Sequence, residues 1–83
     1  FMGNHGILVV GRSLANAWDD LYYLERACEN QVLAMSTGLP LREIPTQLIL
    51  ATKNQILDDA SYGERHLAAI CEVLDAEEPA YKL

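Results

Sequence analysis

The run Ile7-Leu8-Val9-Val10, closed by Gly6 and Gly11, constrains this chain most. Two valines and an isoleucine favour extended backbone, and no polar residue alternates with them. A strand with one wet face would alternate, whereas one covered on both faces reads as continuous apolar sequence. The pattern predicts a buried strand over about residues 6–11. Its backbone groups need a neighbouring strand, and no other segment of the sequence reads as one. The expectation is an α/β fold represented by one central strand followed by two or three helices, with the rest of its sheet supplied by sequence upstream. Phe1-Met2, which looks like the middle of a core segment, points the same way.

Downstream of Gly11 the period changes from strand to helix. Ser13 stands where an N-cap should, able to accept from the free N–H groups of a first turn. Asn16, three residues on, is a poor substitute for the Glu of a capping box. Leu14, Ala17, Trp18, Leu21, Leu24, Cys28, Val32 and Met35 recur in steps of three and four, predicting a helix over about 14–36 ended by Gly38 and Pro40. Pro40, Pro45 and the apolar Leu39, Leu41 and Ile44 suggest a connection pinned to the body of the protein. A helical region over about 46–76 follows, with Thr46 as its expected cap. Gly63 is either the junction of two helices or a strained point in one. Glu77-Glu78-Pro79 stops it before a short tail. All of residues 1–83 are expected to form part of a single domain.

Composition excludes more than it identifies. Twelve acidic residues against six basic ones give a net charge of −6, and the basic residues are scattered from Arg12 to Lys82. A nucleic-acid binder would cluster several of them, so that partner is not expected. No apolar run approaches the length of a membrane span and there is no signal peptide, so neither a membrane nor secretion is expected and the cytoplasm is the default. Cys28 and Cys71 lack partners at metal-site spacing and read as buried free thiols. At 83 residues the chain would bury only about 60% of the surface its unfolded form exposes.

Candidate chemistry is sparse. His5, in Asn4-His5-Gly6 ahead of the strand, could ligate a divalent metal or simply cap the strand with a hydrogen bond. His66, between Arg65 and Leu67, reads as a surface residue. The pairs Asp19-Asp20, Asp58-Asp59 and Glu77-Glu78 point in divergent directions and read as solvated faces. Tyr22, Tyr23, Tyr62 and Tyr81 are candidates for packing or interface contacts. No nucleophile elbow, P-loop or dinucleotide fingerprint is present, and no residue is assigned a catalytic role.

Asn4-His5-Gly6 followed by Ile7-Leu8-Val9-Val10-Gly11, Ser13-Leu14 and Ala17-Trp18 resembles the final strand and following helix of the class II aldolase/adducin family. Tyr23-Leu24-Glu25-Arg26-Ala27-Cys28 is similar to the continuation of that helix. Leu74-Asp75 with Glu78-Pro79-Ala80-Tyr81 is similar to the tail of the longer bacterial members. The chain therefore looks like the C-terminal portion of that family's α/β/α fold. The resemblance implies that His5 is one ligand of zinc, or alternatively manganese or another divalent metal. It implies C–C bond cleavage of aldolase or decarboxylase type through a metal-stabilised enediolate. The substrate would be a small hydroxy-carbonyl compound or hydroxy acid, with or without a phosphate group. The intact subunit would form a homotetramer and supply the remaining ligands from its N-terminal part, leaving the isolated chain inactive. Two alternatives stand beside this. One is an adducin-like, non-catalytic structural or protein-interaction module; the other is a small helical interaction protein without enzyme ancestry.

Overall fold

The computed structural model describes residues 1–59 and 61–82. It contains α1 (Leu14–Ser36), α2 (Thr46–Asp58) and α3 (Tyr62–Glu77), followed by a 3-10 turn over Pro79–Lys82. Among the described residues there is no sheet. The sole β-type pairing there is an isolated bridge between Met2 and Gly6. This corrects the α/β expectation. Residues 7–10 carry a strand's composition but have no regular structure, and Leu8 and Val10 are 71% and 85% exposed. A strand is a property of a pair, and here no extended segment lies alongside to complete the ladder.

The ends of α1 show why it starts and stops where it does. Ser13, in extended conformation, accepts the Asn16 N–H at 3.2 Å. Its own hydroxyl donates to the Asn16 side-chain oxygen at 2.9 Å, so Asn16 closes a tight local version of the capping box. At the other end Gly38 takes φ +69°, the left-handed conformation that frees the chain from the helix. At α2 the expected cap fails. Thr46 is already helical, and Pro45 precedes it with no side-chain cap. Instead the Pro45 carbonyl accepts from the N–H groups of Leu48 and Ile49 at 2.9 and 3.2 Å.

The tertiary structure is a seam between α1 and α3. Its tightest point is Ala15 against Gly63, both buried. Two helices do meet beside Gly63, α2 ending at Asp58 and α3 starting at Tyr62. A Cβ on Gly63 would sit 3.1 Å from the Ala15 carbonyl oxygen, so it is also the site of backbone-to-backbone approach. The apolar stripe along α1 follows this seam only in part, with Ala17, Trp18, Leu24 and Cys28 half-buried. Leu14, Val32 and Met35 on that stripe are all mainly exposed, as is Leu33 beside it. Nor is the connection between α1 and α2 pinned down, since Leu39, Leu41 and Ile44 are exposed. On α2, Leu48, Ile49, Leu50, Ile56 and Leu57 are each more than half exposed, and the helix packs on neither α1 nor α3.

Two global quantities express the same openness. The radius of gyration is 16.1 Å, against about 12 Å for a compact domain of this length. The accessible surface is 7388 Å², against roughly 4,900 Å² for a compact monomer of 9.2 kDa. Many large apolar side chains are left without a partner surface.

Candidate functional site

The α1–α3 seam gathers most of the chain's aromatic side chains. Trp18, Asp19, Tyr22 and Tyr23 lie on α1, one to two turns beyond Ala15. Tyr62 and His66 lie on the facing turns of α3. The His66 ring centroid is 4.4 Å from that of Trp18 and 4.8 Å from that of Tyr22, both in edge-to-face contact. Tyr23 and Tyr62 stand at 5.7 and 6.3 Å. His66 Nδ1 is 2.6 Å from Asp19 Oδ1, and both side chains are mostly buried. A carboxylate can only accept, so Nδ1 carries the proton of this bond, and in neutral His66 the free lone pair is on Nε2. Beside the pair the Tyr23 and Tyr62 hydroxyls share a 2.8 Å hydrogen bond. That bond from Tyr62, with partial desolvation and the nearby Asp19, pushes the Tyr23 phenol up to about 12.

Asp59 organises the entry to α3. It accepts from the Ser61 N–H and hydroxyl at 3.1 and 2.9 Å, and from Arg65 Nη2 at 2.7 Å. The Ser61 hydroxyl, and then the guanidinium, hold the Asp59 carboxyl below the usual range. At the far end of α3, Asp75 accepts from Lys82 Nζ and Tyr81 Oη, each at 2.7 Å, which folds the last turn back onto the helix. Lys82 and then Tyr81 lower the Asp75 carboxyl.

An open trough of about 560 Å³ runs beside the seam, walled by Asp19, Asp20, Tyr23, Gln55, Ile56, Asp59 and Tyr62. His66 is not in its wall. The imidazole–carboxylate pair therefore acts as a polar bolt between two helices, held in an aromatic box, rather than as a base presented to a ligand.

The residues singled out from the sequence are distributed unevenly. His66 and Asp19, read as surface groups, form the centre of the seam. The signal was present in the spacing, because Ala15, Trp18, Asp19 and Tyr22 fall on one helical face, as do Tyr62, Gly63 and His66. His5 is exposed on a tight turn that closes with the Met2 N–H on the Gly6 carbonyl at 2.7 Å, with Asn4 at φ +60°. Among the described residues no three His, Cys, Asp or Glu side chains come together as a metal site. His5 therefore belongs to no such group among the described residues, and metal centres take three or four protein ligands. Cys28 and Cys71 are free thiols, partly rather than fully buried. No helix among the described residues is long and apolar enough to cross a membrane.

Residues 1–32 match the family model of the Class II Aldolase and Adducin N-terminal domain. The match falls on the N-terminal part of this chain, and that overturns the assignment of the chain to the family's C-terminal portion. A Pseudomonas aeruginosa protein named for the aldolase class 2 proteins is 33% identical over 84 aligned positions, covering 95% of this chain and 32% of that protein. A Caulobacter vibrioides protein of similar name is 51% identical over 35 positions, 42% of this chain and 14% of its own length. The chain thus spans about a third or less of the curated relatives it matches. No solved structure matches it significantly.

Proposed function

We propose that this chain is a helical, non-catalytic structural or protein-interaction module related to the class II aldolases and adducins. The observation that carries this is the unpartnered apolar surface. Five large aliphatic side chains of α2 are more than half exposed, and the accessible surface exceeds that of a compact monomer by roughly half. Surface of this kind is stable in water only when something covers it. The His66–Asp19 bolt and its aromatic box serve to hold α1 against α3 and leave α2 for contact. Hydrogen–deuterium exchange on the protein in its native assembly tests this. Slow exchange of the α2 amides, accelerating when the assembly is diluted to its components, is the expected result. Fast exchange of α2 in every state would refute it.

A second reading is favoured by one specific observation. His5 lies within the segment that matches the family model, on an exposed turn where its imidazole is accessible. On that reading His5 donates to a zinc or other divalent ion whose remaining ligands lie outside this chain. The bound metal would supply Lewis-acid chemistry for C–C bond cleavage of a hydroxy-carbonyl substrate. The described residues give no further ligand, so no reaction step follows from them. Metal analysis of the protein with and without His5→Ala separates the two. Stoichiometric metal lost in the variant would favour the enzyme, and metal content indifferent to His5 would remove it.

A further inference from the structure

The trough beside the seam has a specific chemical character. Its floor is carbon, from Ile56 and the rings of Tyr23 and Tyr62, and Ile56 is 66% exposed, so nothing within the described chain fills it. Its charged wall residues are three carboxylates and, among the described residues, no cation. Two of the three are engaged: Asp19 with His66 and Asp59 with Ser61 and Arg65. Asp20 makes no ion pair among the described residues. The adjoining hollow towards Gly11 shares Asp19, Asp20, Ile56, Asp59 and Tyr62 with the trough and adds Arg12, which makes no ion pair with these carboxylates among the described residues.

From this we infer that the trough docks a basic amphipathic segment of a partner protein: an aliphatic side chain seated on Ile56 and Tyr62, with a neighbouring Lys or Arg reaching Asp20. The proposal rests on the interaction-module reading and names the chemistry of its partner. Charge and apolar contact act together here. An ammonium or guanidinium beside Asp20 also lies near the tyrosine faces, which attract cations. The net charge of −6 steers basic partners towards the chain at long range. A segment, rather than a small amine, suits the site because the exposed aliphatic surface continues from Ile56 along α2 to Leu48, farther than a small molecule reaches.

Two synthetic helical peptides of identical spacing, one of leucine with lysine and one of leucine with glutamate, test the inference by titration against the protein. The readout is the NMR signal of the Ile56 methyl groups together with calorimetry. The lysine peptide is expected to bind and shift Ile56. Asp20→Asn and Ile56→Ala are each expected to weaken it about tenfold, while Asp20→Glu and the remote Glu43→Gln leave it unchanged. All three positions are exposed, so these variants keep the fold. Equal binding of the glutamate peptide, or equal loss in Asp20→Asn and Glu43→Gln, would overturn the site. So would Ile56 signals that move with protein concentration alone, which would make the occupant a second copy. If α2 exchanges slowly in the native assembly but lysine-peptide binding ignores Asp20, this inference fails and the interaction module stands. Should α2 exchange fast in every state, both fail.

Discussion

Replacing Gly63 tests the seam at its narrowest point. A Cβ there would meet the Ala15 carbonyl oxygen at 3.1 Å, the Asn16 side-chain nitrogen at 3.1 Å and the Ala15 carbonyl carbon at 3.3 Å. These approaches are a few tenths of an ångström tighter than ordinary contact, and two of the three atoms are backbone of an intact helix. Alanine gains helix propensity, worth at most about 1 kcal/mol and less in a first turn. Against this stands overpacking, which costs about 1–3 kcal/mol where the surroundings cannot yield. Gly63→Ala should therefore destabilise by about 1 kcal/mol, and Gly63→Val, with two more methyl groups and a stiff χ1, by about 3 kcal/mol. Urea denaturation followed by far-ultraviolet circular dichroism measures both. The identity of the clashing atoms sharpens the test. Ala15→Gly removes a Cβ that is not among the close contacts, so it should not rescue Gly63→Ala, whereas Asn16→Ala should recover part of the loss. A Gly63→Ala protein more stable than the parent, or full rescue by Ala15→Gly, would show that the backbones are not in contact and would refute the seam.

Three further outcomes follow from the same cluster. Asp19→Asn weakens a charge-assisted, mostly buried hydrogen bond to His66 and should cost about 1–2 kcal/mol in denaturant titration; His66→Phe, which keeps a ring in the box, should lose a similar amount but not more. Tyr62→Phe should return the Tyr23 phenol from about 12 towards 10.0 in an ultraviolet pH titration. Because that pKa is raised in the folded state, its stabilising contribution is complete below pH 10 and is lost as pH climbs towards 12. Ser61→Ala should raise the Asp59 pKa towards its ordinary 3.8, seen by carbon-detected NMR of the carboxyl. With a depressed folded-state value, Asp59 supports the start of α3 above that pH and ceases to do so as pH falls through the folded pKa.

Which features could be read from the sequence follows from the range of the interactions that set them. The Ser13 cap and the Gly38 exit involve partners three or four residues away, and the sequence states them directly. Ile7–Val10 is different. β-branched composition reports how well a segment would suit a sheet, not whether a second strand is there to pair with it. His66 was missed for a related reason. Hydropathy followed Leu67, Ile70, Cys71 and Leu74, and a histidine beside Arg65 looked wet. Yet the seam on α1 takes in more than the half-buried part of the apolar stripe; it also runs through Ala15, Asp19 and Tyr22, where a small residue admits a backbone and an acid waits for an imidazole. Polar pairs of this sort are invisible to a hydrophobic scale because each partner is costly to bury alone and acceptable only with the other.

The same logic explains why the two ends of the α1 stripe, at Leu14 and at Val32 and Met35, and the aliphatic face of α2 stay exposed. The helices meet where backbone approach and the Asp19–His66 bond permit a close fit, half-burying Leu67, Ile70, Cys71 and Leu74, and the aliphatic face of α2 is left outside. A chain whose own fold is fixed by its polar seam can offer its greasiest surfaces to others. If that division of labour is right, breaking the bolt with Asp19→Asn should loosen α1 from α3 without abolishing contact through α2. Ile56→Ala should do the reverse, weakening partner contact while leaving the stability of the α1–α3 pair unchanged. Variants that fail together on both measures would show that the seam and the contact surface are one cooperative unit.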